Sequence, residues 1–261
     1  MEIKIYQVDA FADNSFTGNP AAVCPLSEWL CDELLQKIAE ENNLSETAFF
    51  VMQGDGYCLR WFTPENEVDL CGHATLAAAH VLFKHFNYSK KSIAFYTKSG
   101  TLEVRKSSQG YSMDFPASVI KPIAAPKLLQ EALGVTPLNT FMAFDYIVVL
   151  DSEAQVMSIS PDFMKLATLD LRGVVITAIG DSVDFVSRCF FPKLRVNEDP
   201  VTGSAHCELA PYWANKLKRN HLVGKQLSKR TGTVQCEVSG DRVILSGNAV
   251  DYMSGLITIK I

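Results

Sequence analysis

Two short loops, each with acidic residues and a glycine, are the segments best suited to bind a small anion. Residues 69–75 read Asp-Leu-Cys-Gly-His-Ala-Thr and residues 198–205 read Glu-Asp-Pro-Val-Thr-Gly-Ser-Ala, and an apolar run follows each. The N-terminus of a helix carries unpaired N–H groups and partial positive charge, which attract carboxylates and phosphates. Gly72 and Gly203 would let this backbone approach a ligand closely. We therefore predict an anion-binding helix start at each loop; two ordinary tight turns are the alternative.

The polar side chains of these loops are candidates for catalysis. His73 follows Gly72 directly, and the positive end of a helix lowers the pKa of an imidazole, so we expect a neutral ring there. Asp69, Glu198 and Asp199 crowd the loops, and Asp199 is the best placed of them near the second helix start. For Asp199 and for Ser204, an N-capping role is a strong alternative.

Glu46 is a single carboxylate at the head of the apolar segment 47–52. A glutamate exposed on the surface is the default interpretation of such a residue. If its side chain faced a cleft instead, it could remove and return protons at carbon, which is general acid–base chemistry. The pattern of residues alone does not select Glu46.

The two loops belong to a longer repeated pattern. Phe-Thr-Pro precedes the first loop at residues 62–64, Phe-Phe-Pro precedes the second at residues 190–192, and matching Gly-Thr pairs follow at residues 100–101 and 232–233. The shared spacing predicts a duplicated domain whose two copies direct their loops at a common cleft. The proline-containing stretch 116–126 marks the boundary. We predict domains 1–117 and 118–253, with residues 254–261 as a candidate completion of the first.

Hydrophobic patterning predicts an α+β fold in which many short strands surround one enclosed helix per domain. The run 76–86 is apolar nearly all round, as in a helix enclosed by protein, and the second enclosed helix is predicted at 205–218. A cap at Ser27 and an apolar stripe from Leu30 to Ile38 predict one further helix. The strands favour two pseudo-symmetric domains, each with a curled, mostly antiparallel sheet. They are predicted at 2–10, 21–24, 47–52, 57–63, 92–96, 101–105, 110–115, 146–150, 173–178, 183–191, 232–238, 242–246 and 256–261.

The composition fits a globular protein and excludes some classes of function. Of the 261 residues 48% are hydrophobic and 20% charged, as in ordinary folded domains. A net charge of −5 argues against a nucleic-acid binder, which would need a basic patch. We expect no membrane association, because no apolar run is long enough to span a bilayer and no signal-like segment follows the start.

The cysteines indicate a reduced protein without metal. All seven stand singly, without the paired spacing of disulfide or zinc modules, so we expect free thiols in a cytoplasmic protein. No cluster of His, Cys and carboxylates has the spacing of metal ligands along the chain. We therefore predict that the active protein holds no metal.

Four motifs in this order resemble those of the phenazine-biosynthesis isomerases, the PhzF-like family. They are Phe-Thr-Gly-Asn-Pro-Ala at 16–21, Ser-Glu-Thr-Ala-Phe at 45–49, and the two loops at 69–75 and 198–206. That family is similar to diaminopimelate epimerase, with two pseudo-symmetric domains and the active site between them. The resemblance implies that Glu46 is the catalytic acid/base, with His73, Asp199 and Ser204 around it.

The resemblance also implies the remaining features of the site. Substrate contacts would come from Asn19, Gly72, Thr202, Gly203 and the nearby backbone. Family members work without metal or organic cofactor and commonly form homodimers. A 2,3-dihydro-3-hydroxyanthranilate-like carboxylate is the implied substrate, and the reaction is a proton transfer between carbons that shifts a double bond.

Cys71 raises an alternative. Cofactor-independent epimerases of this fold use two cysteines on opposite faces of the substrate carbon, and Cys71 occupies the first such position. Opposite it the second loop offers Pro200 or Thr202, depending on alignment, and neither is a thiol. A one-base reaction through Glu46 is therefore favoured over an amino-acid epimerase or racemase that uses Cys71. A non-catalytic binding protein is the third interpretation, and it is disfavoured because the implied catalytic residues are all present.

Overall fold

The structure, a computed structural model, describes residues 1–108 and 110–260. In chain order the elements of the first part are β1 (Glu2–Ala10), β2 (Asn19–Leu26), α1 (Asp32–Asn42), β3 (Glu46–Gln53), β4 (Gly56–Phe62), β5 (Glu67–Val68), α2 (Gly72–His85), β6 (Ser92–Thr97), β7 (Gly100–Ser107) and β8 (Gly110–Pro116). Those of the second part are β9 (Lys121–Ile123), α3 (Lys127–Leu133), β10 (Asn139–Met142), β11 (Tyr146–Val149), α4 (Glu153–Ser158), α5 (Phe163–Leu166), β12 (Val174–Ile179), β13 (Phe185–Phe191), β14 (Val196–Asp199), α6 (Gly203–Leu217), β15 (His221–Gln226), β16 (Gly232–Ser239), β17 (Arg242–Gly247) and β18 (Ala249–Thr258).

The chain divides into two compact units. Unit 1 comprises Met1–Asp114 and the C-terminal residues 246–260, and unit 2 comprises Phe115–Leu245. The sequence predicts these divisions at 117/118 and 253/254. Both units consist mainly of strands with few helices, and the predicted α+β class is confirmed.

Helix α2 is the centre of unit 1. It is 14 residues long, and its run from His73 to Phe83 is buried throughout. Strands β1, β2, β3, β7 and β18 pack against it. Three consecutive alanines, 77–79, keep part of the helix surface small enough for strands to approach. The prediction of an enclosed helix is confirmed, with the helix beginning at Gly72.

The last strand of the chain completes the sheet of unit 1. Strand β18 pairs antiparallel with β1 from Glu2 to Ala10, and β1 pairs antiparallel with β2 on its other side. Strand β2 in turn runs parallel to β3. The sequence predicted this strand at 256–261, but in the structure it begins earlier, at Ala249. The middle of β18 is exposed on both faces, so no alternating apolar pattern marks where it begins.

The predicted start of the first helix is also wrong. Helix α1 begins at Asp32, after an extended N-cap residue, Cys31, and so Ser27 and Leu30 precede it. Two acidic residues in the first turn favour this start, because they complement the positive helix end. Leu35 and Ile38 of the predicted apolar stripe are buried in the core of unit 1.

Unit 2 is built around β13 and α6. Strand β13 pairs antiparallel with β12 and parallel with β15, and β11 pairs parallel with β12. Helix α6 continues through Pro211 and packs against β15 and β16, and its side chains from Ala205 to Ala210 are buried. It begins at Gly203, as α2 begins at Gly72. The prediction of a second helix opening at the second loop is therefore confirmed.

Several elements of unit 2 have no counterpart in the sequence prediction. The short helix α4 packs against β12 and β13, and α5 packs against α3. Ser152 and Asp162 cap these two helices with side-chain hydrogen bonds. Strand β9 lies inside the stretch that the sequence assigns to a boundary, where it pairs with β10. These elements are too short to show a helical or alternating period.

Within the described residues, no helix has the length and apolar character needed to cross a membrane.

Candidate active site

Glu46 and His73 meet at the helix start of unit 1. Glu46 is the first residue of β3 and lies beside Ala21 of the parallel strand β2, while His73 is the second residue of α2. Glu46 Oε2 is 3.1 Å from His73 Nε2, and only 18% of the glutamate side chain is exposed. Glu46 is therefore not a surface glutamate. Both atoms are buried without an aligned hydrogen bond to the described protein.

The other nitrogen of the His73 ring contacts an amide. Asn19 Nδ2 is 3.3 Å from His73 Nδ1, and Asn19 Oδ1 accepts a hydrogen bond from Ser45 at 3.3 Å. In this orientation Nδ1 accepts and the proton of a neutral ring lies on Nε2. Turning the amide over would present Oδ1 to an N–H at Nδ1 and the NH2 group to the Ser45 hydroxyl. The Asn19 and Ser45 pair can thus accommodate both charge states of the ring.

Cys71 completes a group of three ligand-type side chains. It is the N-cap residue of α2, and its buried Sγ is 3.5 Å from His73 Nδ1. One donor atom each from Glu46, Cys71 and His73 can be chosen so that all three lie within 4.8 Å of one another. The sequence predicted no metal because these side chains do not have the spacing of metal ligands along the chain. The fold overturns that premise, because β3 brings Glu46 to residues that lie more than twenty positions away.

The pKa of His73 differs from the sequence expectation. Burial lowers it, as the positive helix end was expected to do, but Cys71 and Glu46 raise it, and the net result lies well above 6.5. The expectation of a ring kept neutral by a lowered pKa is therefore wrong. Nearby acidic groups outweigh the helix end here. Burial, together with the negative charge of Glu46, raises the pKa of the Cys71 thiol.

The backbone at the start of α2 supplies donors. Cys71 has an extended conformation, with φ −146° and ψ 108°, so the helix begins sharply at Gly72. The first N–H groups of a helix have no acceptor within it. The N–H of Ala74 hydrogen-bonds to Cys71, and Thr75 is the first residue bonded to a carbonyl, that of Cys71. The predicted helix start is therefore present in unit 1.

The second loop, in unit 2, is fixed by hydrogen bonds of its own. Thr202 is the N-cap residue of α6, and its hydroxyl donates to Asp199 Oδ2 at 2.5 Å. The buried side chain of Gln226 accepts from the Thr202 N–H at 2.9 Å and donates to the Asp199 carbonyl at 2.7 Å. Asp199 and Thr202 are thus held together just before Gly203. The Thr202 side chain makes no capping bond to the helix backbone.

Ser204 lies inside α6 and is supported by an ion pair between the half-buried Arg172 and the buried Asp145. Because Thr202 is the N-cap, the capping alternative for Ser204 is wrong. Arg172 donates to Ser204 Oγ at 3.0 Å and binds both oxygens of the fully buried Asp145, at 3.0 and 2.5 Å. A guanidinium only donates, so the serine oxygen accepts and its own O–H is free to donate elsewhere.

Glu208 supports this ion pair from one turn further along α6. Its Oε1 accepts from the backbone N–H groups of Phe144 and Asp145 at 3.0 and 3.2 Å, and its Oε2 is buried without a partner. Burial, with the negative charge of Asp145, raises the pKa of Glu208 to about 8. At neutral pH this carboxyl group is therefore largely protonated, and Asp145 is the residue that contacts Arg172 directly.

The two N-caps identify which residues correspond. Cys71 precedes Gly72 at the start of α2, and Thr202 precedes Gly203 at the start of α6, both in an extended conformation. Thr202, rather than Pro200, is therefore the counterpart of Cys71. Because a threonine stands there, the second unit offers no thiol at this position.

Comparison with known proteins gives the family. A sequence profile of the PhzC-PhzF family, described as phenazine biosynthesis-like protein, matches residues 8–255. The chain belongs to this family. The resemblance drawn from the four motifs is thereby confirmed.

Phenazine biosynthesis-like relatives match along their whole length. An uncharacterized isomerase of Pseudomonas aeruginosa is 53% identical over 257 residues, covering 98% of this chain and 99% of that protein. The crystal structure of a PhzF-family protein from Enterococcus faecalis is 49% identical, with a TM-score of 0.97 over 99% of this chain and 100% of that one. A hydroxyproline epimerase from Agrobacterium vitis, at 9% identity and TM-score 0.60, shares the fold over 98% of this chain and 92% of its own. The protein is an isomerase with the epimerase-like fold.

The predicted site residues fall into two groups within this phenazine biosynthesis-like fold. Unit 1 brings together Asn19, Glu46, Gly72 and His73, and unit 2 brings together Asp199, Thr202, Gly203 and Ser204. Of the other loop carboxylates, Asp69 is exposed, and Glu198 is bound by Arg188 at 2.7 Å.

Four polar residues around the second loop were missed by the sequence analysis. Glu208 alone carried a signal, since it is a charged residue in an otherwise apolar stretch of helix. The other three are ordinary polar residues far along the chain from Ser204, and only folding shows their contacts. The four are Asp145, Arg172, Glu208 and Gln226.

Proposed function

We propose that this isomerase moves a proton between carbons of a small carboxylate and that Glu46 is its single acid/base. The observation that carries the proposal is the position of Glu46 Oε2, which is buried and 3.1 Å from His73 Nε2, with no further hydrogen-bond partner in the described protein. A carboxyl group that removes and returns a proton must be shielded from water and held in position. Glu46 is largely buried, and its contact with the His73 ring holds it.

His73 has an orienting role in this proposal. Its Nε2 faces Glu46, and its Nδ1 is held by Asn19, which fixes the plane of the ring. A carboxyl group held in one direction transfers protons more efficiently, because the reacting atoms are already aligned. The contact with the ring thereby fixes the position of the Glu46 carboxyl group.

The helix starts are assigned to substrate binding. In unit 1 the N–H group at Gly72, and in unit 2 the N–H group at Gly203, would bind carboxylate oxygens, and Ser204 would donate to a substrate oxygen. The hydroxyl proton of Thr202 is donated to Asp199, so Thr202 would contact the substrate through its oxygen or its backbone. As the proton leaves carbon, negative charge spreads onto the carboxylate, where fixed donors stabilise it most. Asp199 holds Thr202 in place for this role.

A one-base reaction agrees with the difference between the two N-caps. Two-sided epimerisation needs an acid/base group on each face of the carbon. Thr202 corresponds to Cys71 and its hydroxyl is engaged with Asp199, so it is poorly suited to serve as the second group. Transfer by Glu46 alone returns the proton on the face from which it came. We propose a substrate resembling 2,3-dihydro-3-hydroxyanthranilate, whose activated C–H bond and double bond fit such a shift.

Hydrogen exchange with solvent tests the proposal directly. The protein is incubated in heavy water with 2,3-dihydro-3-hydroxyanthranilate and, separately, with trans-4-hydroxy-L-proline, and products are read by NMR and mass spectrometry. We expect a double-bond shift in the first compound, with part of the product retaining the substrate's own hydrogen. Epimerisation of hydroxyproline that is lost in Cys71→Ser and kept in Glu46→Gln would replace this proposal with the epimerase alternative.

We also propose a cytoplasmic homodimer that acts on small molecules without a nucleic-acid partner. The proposal rests on the family and on seven free thiols, four of them with pKa values that burial raises strongly. Light scattering at working concentration tests the dimer. A monomer under conditions in which the protein is active would reject it.

A further inference from the structure

We propose that Glu46, Cys71 and His73 together bind a thiophilic divalent cation, with zinc as the preferred ion, and that the metal-bound protein is inactive. The binding site stands on the geometry of the three side chains alone. The inactivity rests on the acid/base role proposed for Glu46. The active protein remains metal-free in this account, and the metal-bound form is a reversibly inhibited state.

The three side chains are close enough together for a zinc site, although Cys71 and Glu46 contact different nitrogens of the His73 ring. Cys71 Sγ lies 3.5 Å from the Nδ1 atom of His73, and Glu46 Oε2 lies 3.1 Å from its Nε2 atom. Two ligands of a tetrahedral zinc, at about 2.3 Å for sulfur and about 2.0 Å for nitrogen, are themselves roughly 3.5 Å apart. One nitrogen, the sulfur and one carboxylate oxygen already lie within 4.8 Å of one another. Rotation about the Cys71 Cα–Cβ bond would bring the third ligand into place.

Two of the three ligand atoms have no hydrogen-bonding partner in the described protein beyond each other. Glu46 Oε2 and His73 Nε2 are buried, and neither makes an aligned hydrogen bond to the described protein. The His73 side chain is only 7% exposed. A cation between them would replace this single 3.1 Å contact with two bonds to the metal.

The surroundings suit a metal ligand as well. Metal-binding histidines usually have the second ring nitrogen held by another polar group, which fixes the ring. Asn19, anchored by Ser45, contacts Nδ1 and leaves Nε2 facing Glu46. When the ion binds, the Cys71 thiol and the charged His73 ring each lose a proton to solvent, so that Sγ and Nε2 can both bind the metal. The thiolate and the carboxylate then balance the two positive charges.

Three protein ligands leave one position of a tetrahedral zinc open, so water or a substrate carboxylate would complete it. With its oxygen bound to metal, Glu46 no longer has a free basic site. Proton transfer at carbon would stop until the ion is removed. The inhibition is therefore expected to be reversed by a chelator.

Cobalt serves as the spectroscopic probe. Purified, reduced protein is titrated with Co²⁺ under argon, and the absorption of thiolate-to-cobalt charge transfer and of tetrahedral cobalt is followed. We expect one cobalt per chain, displaced by stoichiometric Zn²⁺. In Cys71→Ser the charge-transfer band should disappear, while in Cys31→Ser, which removes an exposed thiol, it should be unchanged. Circular dichroism checks that both variants are folded.

The same titration on Glu46→Gln separates this site from adventitious binding at a thiol. Loss of a ligand should weaken cobalt binding at least about tenfold. A spectrum that survives in Cys71→Ser, or an affinity unchanged in Glu46→Gln, overturns the site. If the site is confirmed but zinc leaves exchange on 2,3-dihydro-3-hydroxyanthranilate unaffected, the inhibitory role is refuted. Absence of exchange in metal-free protein contradicts the proposed function instead, and the titration remains valid.

Discussion

The starts of α2 and α6 share a backbone design and differ in what surrounds it. Each has an extended N-cap, a glycine as first helical residue and a buried histidine in the first turn. At the start of α2, buried atoms of Glu46 and His73 contact each other at 3.1 Å and have no further hydrogen-bond partner in the described protein. At the start of α6, side-chain hydrogen bonds hold Thr202 and Ser204. The first arrangement leaves atoms available for chemistry, and the second fixes donors in position.

The two histidines show that the helix end does not decide the charge of a nearby ring. Burial lowers the pKa of both. His206 has only the Thr202 carbonyl, 2.8 Å from Nδ1, to oppose that effect, and its pKa falls to about 4. His73 has Cys71 and Glu46, and its pKa rises well above 6.5. Two histidines in the first turns of these helices thus have opposite charge states, because the neighbouring side chains differ.

The largest effect is expected at the helix start of unit 1. Glu46→Gln keeps the shape of the side chain but removes its basic site, so binding should persist while turnover falls by roughly a hundred- to ten-thousandfold. Turnover and binding of 2,3-dihydro-3-hydroxyanthranilate are measured in parallel. Glu41→Gln, at an exposed position of α1, is the control. Full turnover in Glu46→Gln would assign the chemistry to another group.

A smaller effect is expected at the helix start of unit 2, where residues act together. Ser204→Ala should lower turnover roughly ten- to a hundredfold by removing one donor to substrate. Arg172→Lys keeps the positive charge but removes the guanidinium group, which donates to Asp145 and to Ser204 at the same time. This substitution should therefore lower turnover as well. Because Arg172 acts through Ser204, turnover of the double variant with Arg172→Lys and Ser204→Ala should be only slightly lower than that of Ser204→Ala alone.

Arg60→Lys is the matched control for this cycle. Arg60 forms a comparable two-oxygen pair with Glu67 in unit 1, at 2.7 and 2.9 Å, and has no described contact with Ser204. Its effect should simply add to that of Ser204→Ala. Additive effects of Arg172→Lys and Ser204→Ala would show that Arg172 supports the fold of unit 2 rather than the serine.

The ion pair of unit 2 should also make stability depend on pH. The pKa of Glu208 is raised to about 8, so the folded protein binds more protons than the unfolded chain between about 4.5 and about 8. Stability therefore falls as pH rises through this window. Glu208→Gln cannot ionise at this position. The unfolding free energy of the variant minus that of the wild type should therefore increase by about 1–3 kcal/mol from about pH 6 to about pH 9.

Urea unfolding at the two pH values measures this difference. Glu131→Gln, an exposed glutamate in the same unit, is the control and should follow the wild type. An equal pH dependence in Glu208→Gln and wild type would mean that Glu208 ionises normally despite its burial.

The sequence predicted the parts of the molecule that repeat or alternate. The enclosed helices, most strands of unit 1 and the residues of both loops follow from apolar patterning and from motifs. Contacts between distant residues did not follow, because Asp145, Arg172 and Ser204 have no shared period or motif to link them. The prediction of a lowered pKa for His73 was wrong for the same reason. Its direction depends on Glu46, which is distant along the chain and adjacent only after β3 has paired with β2.

The smallest expected effect concerns the two histidines themselves. Because its pKa is raised, His73 contributes stability that is complete below about pH 6.5 and is lost as pH rises through its folded-state pKa. His206, with its pKa at about 4, has the opposite sign, and its contribution is lost as pH falls from about 6.5 to about 4. Nitrogen-detected NMR of the imidazole rings distinguishes the two charge states during a titration. In Glu46→Gln the pKa of His73 should fall, because one acidic neighbour is removed, and that of His206 should not change. An unchanged His73 would mean that Cys71 alone raises its pKa, and the difference between the two helix starts would then depend on the N-cap residue.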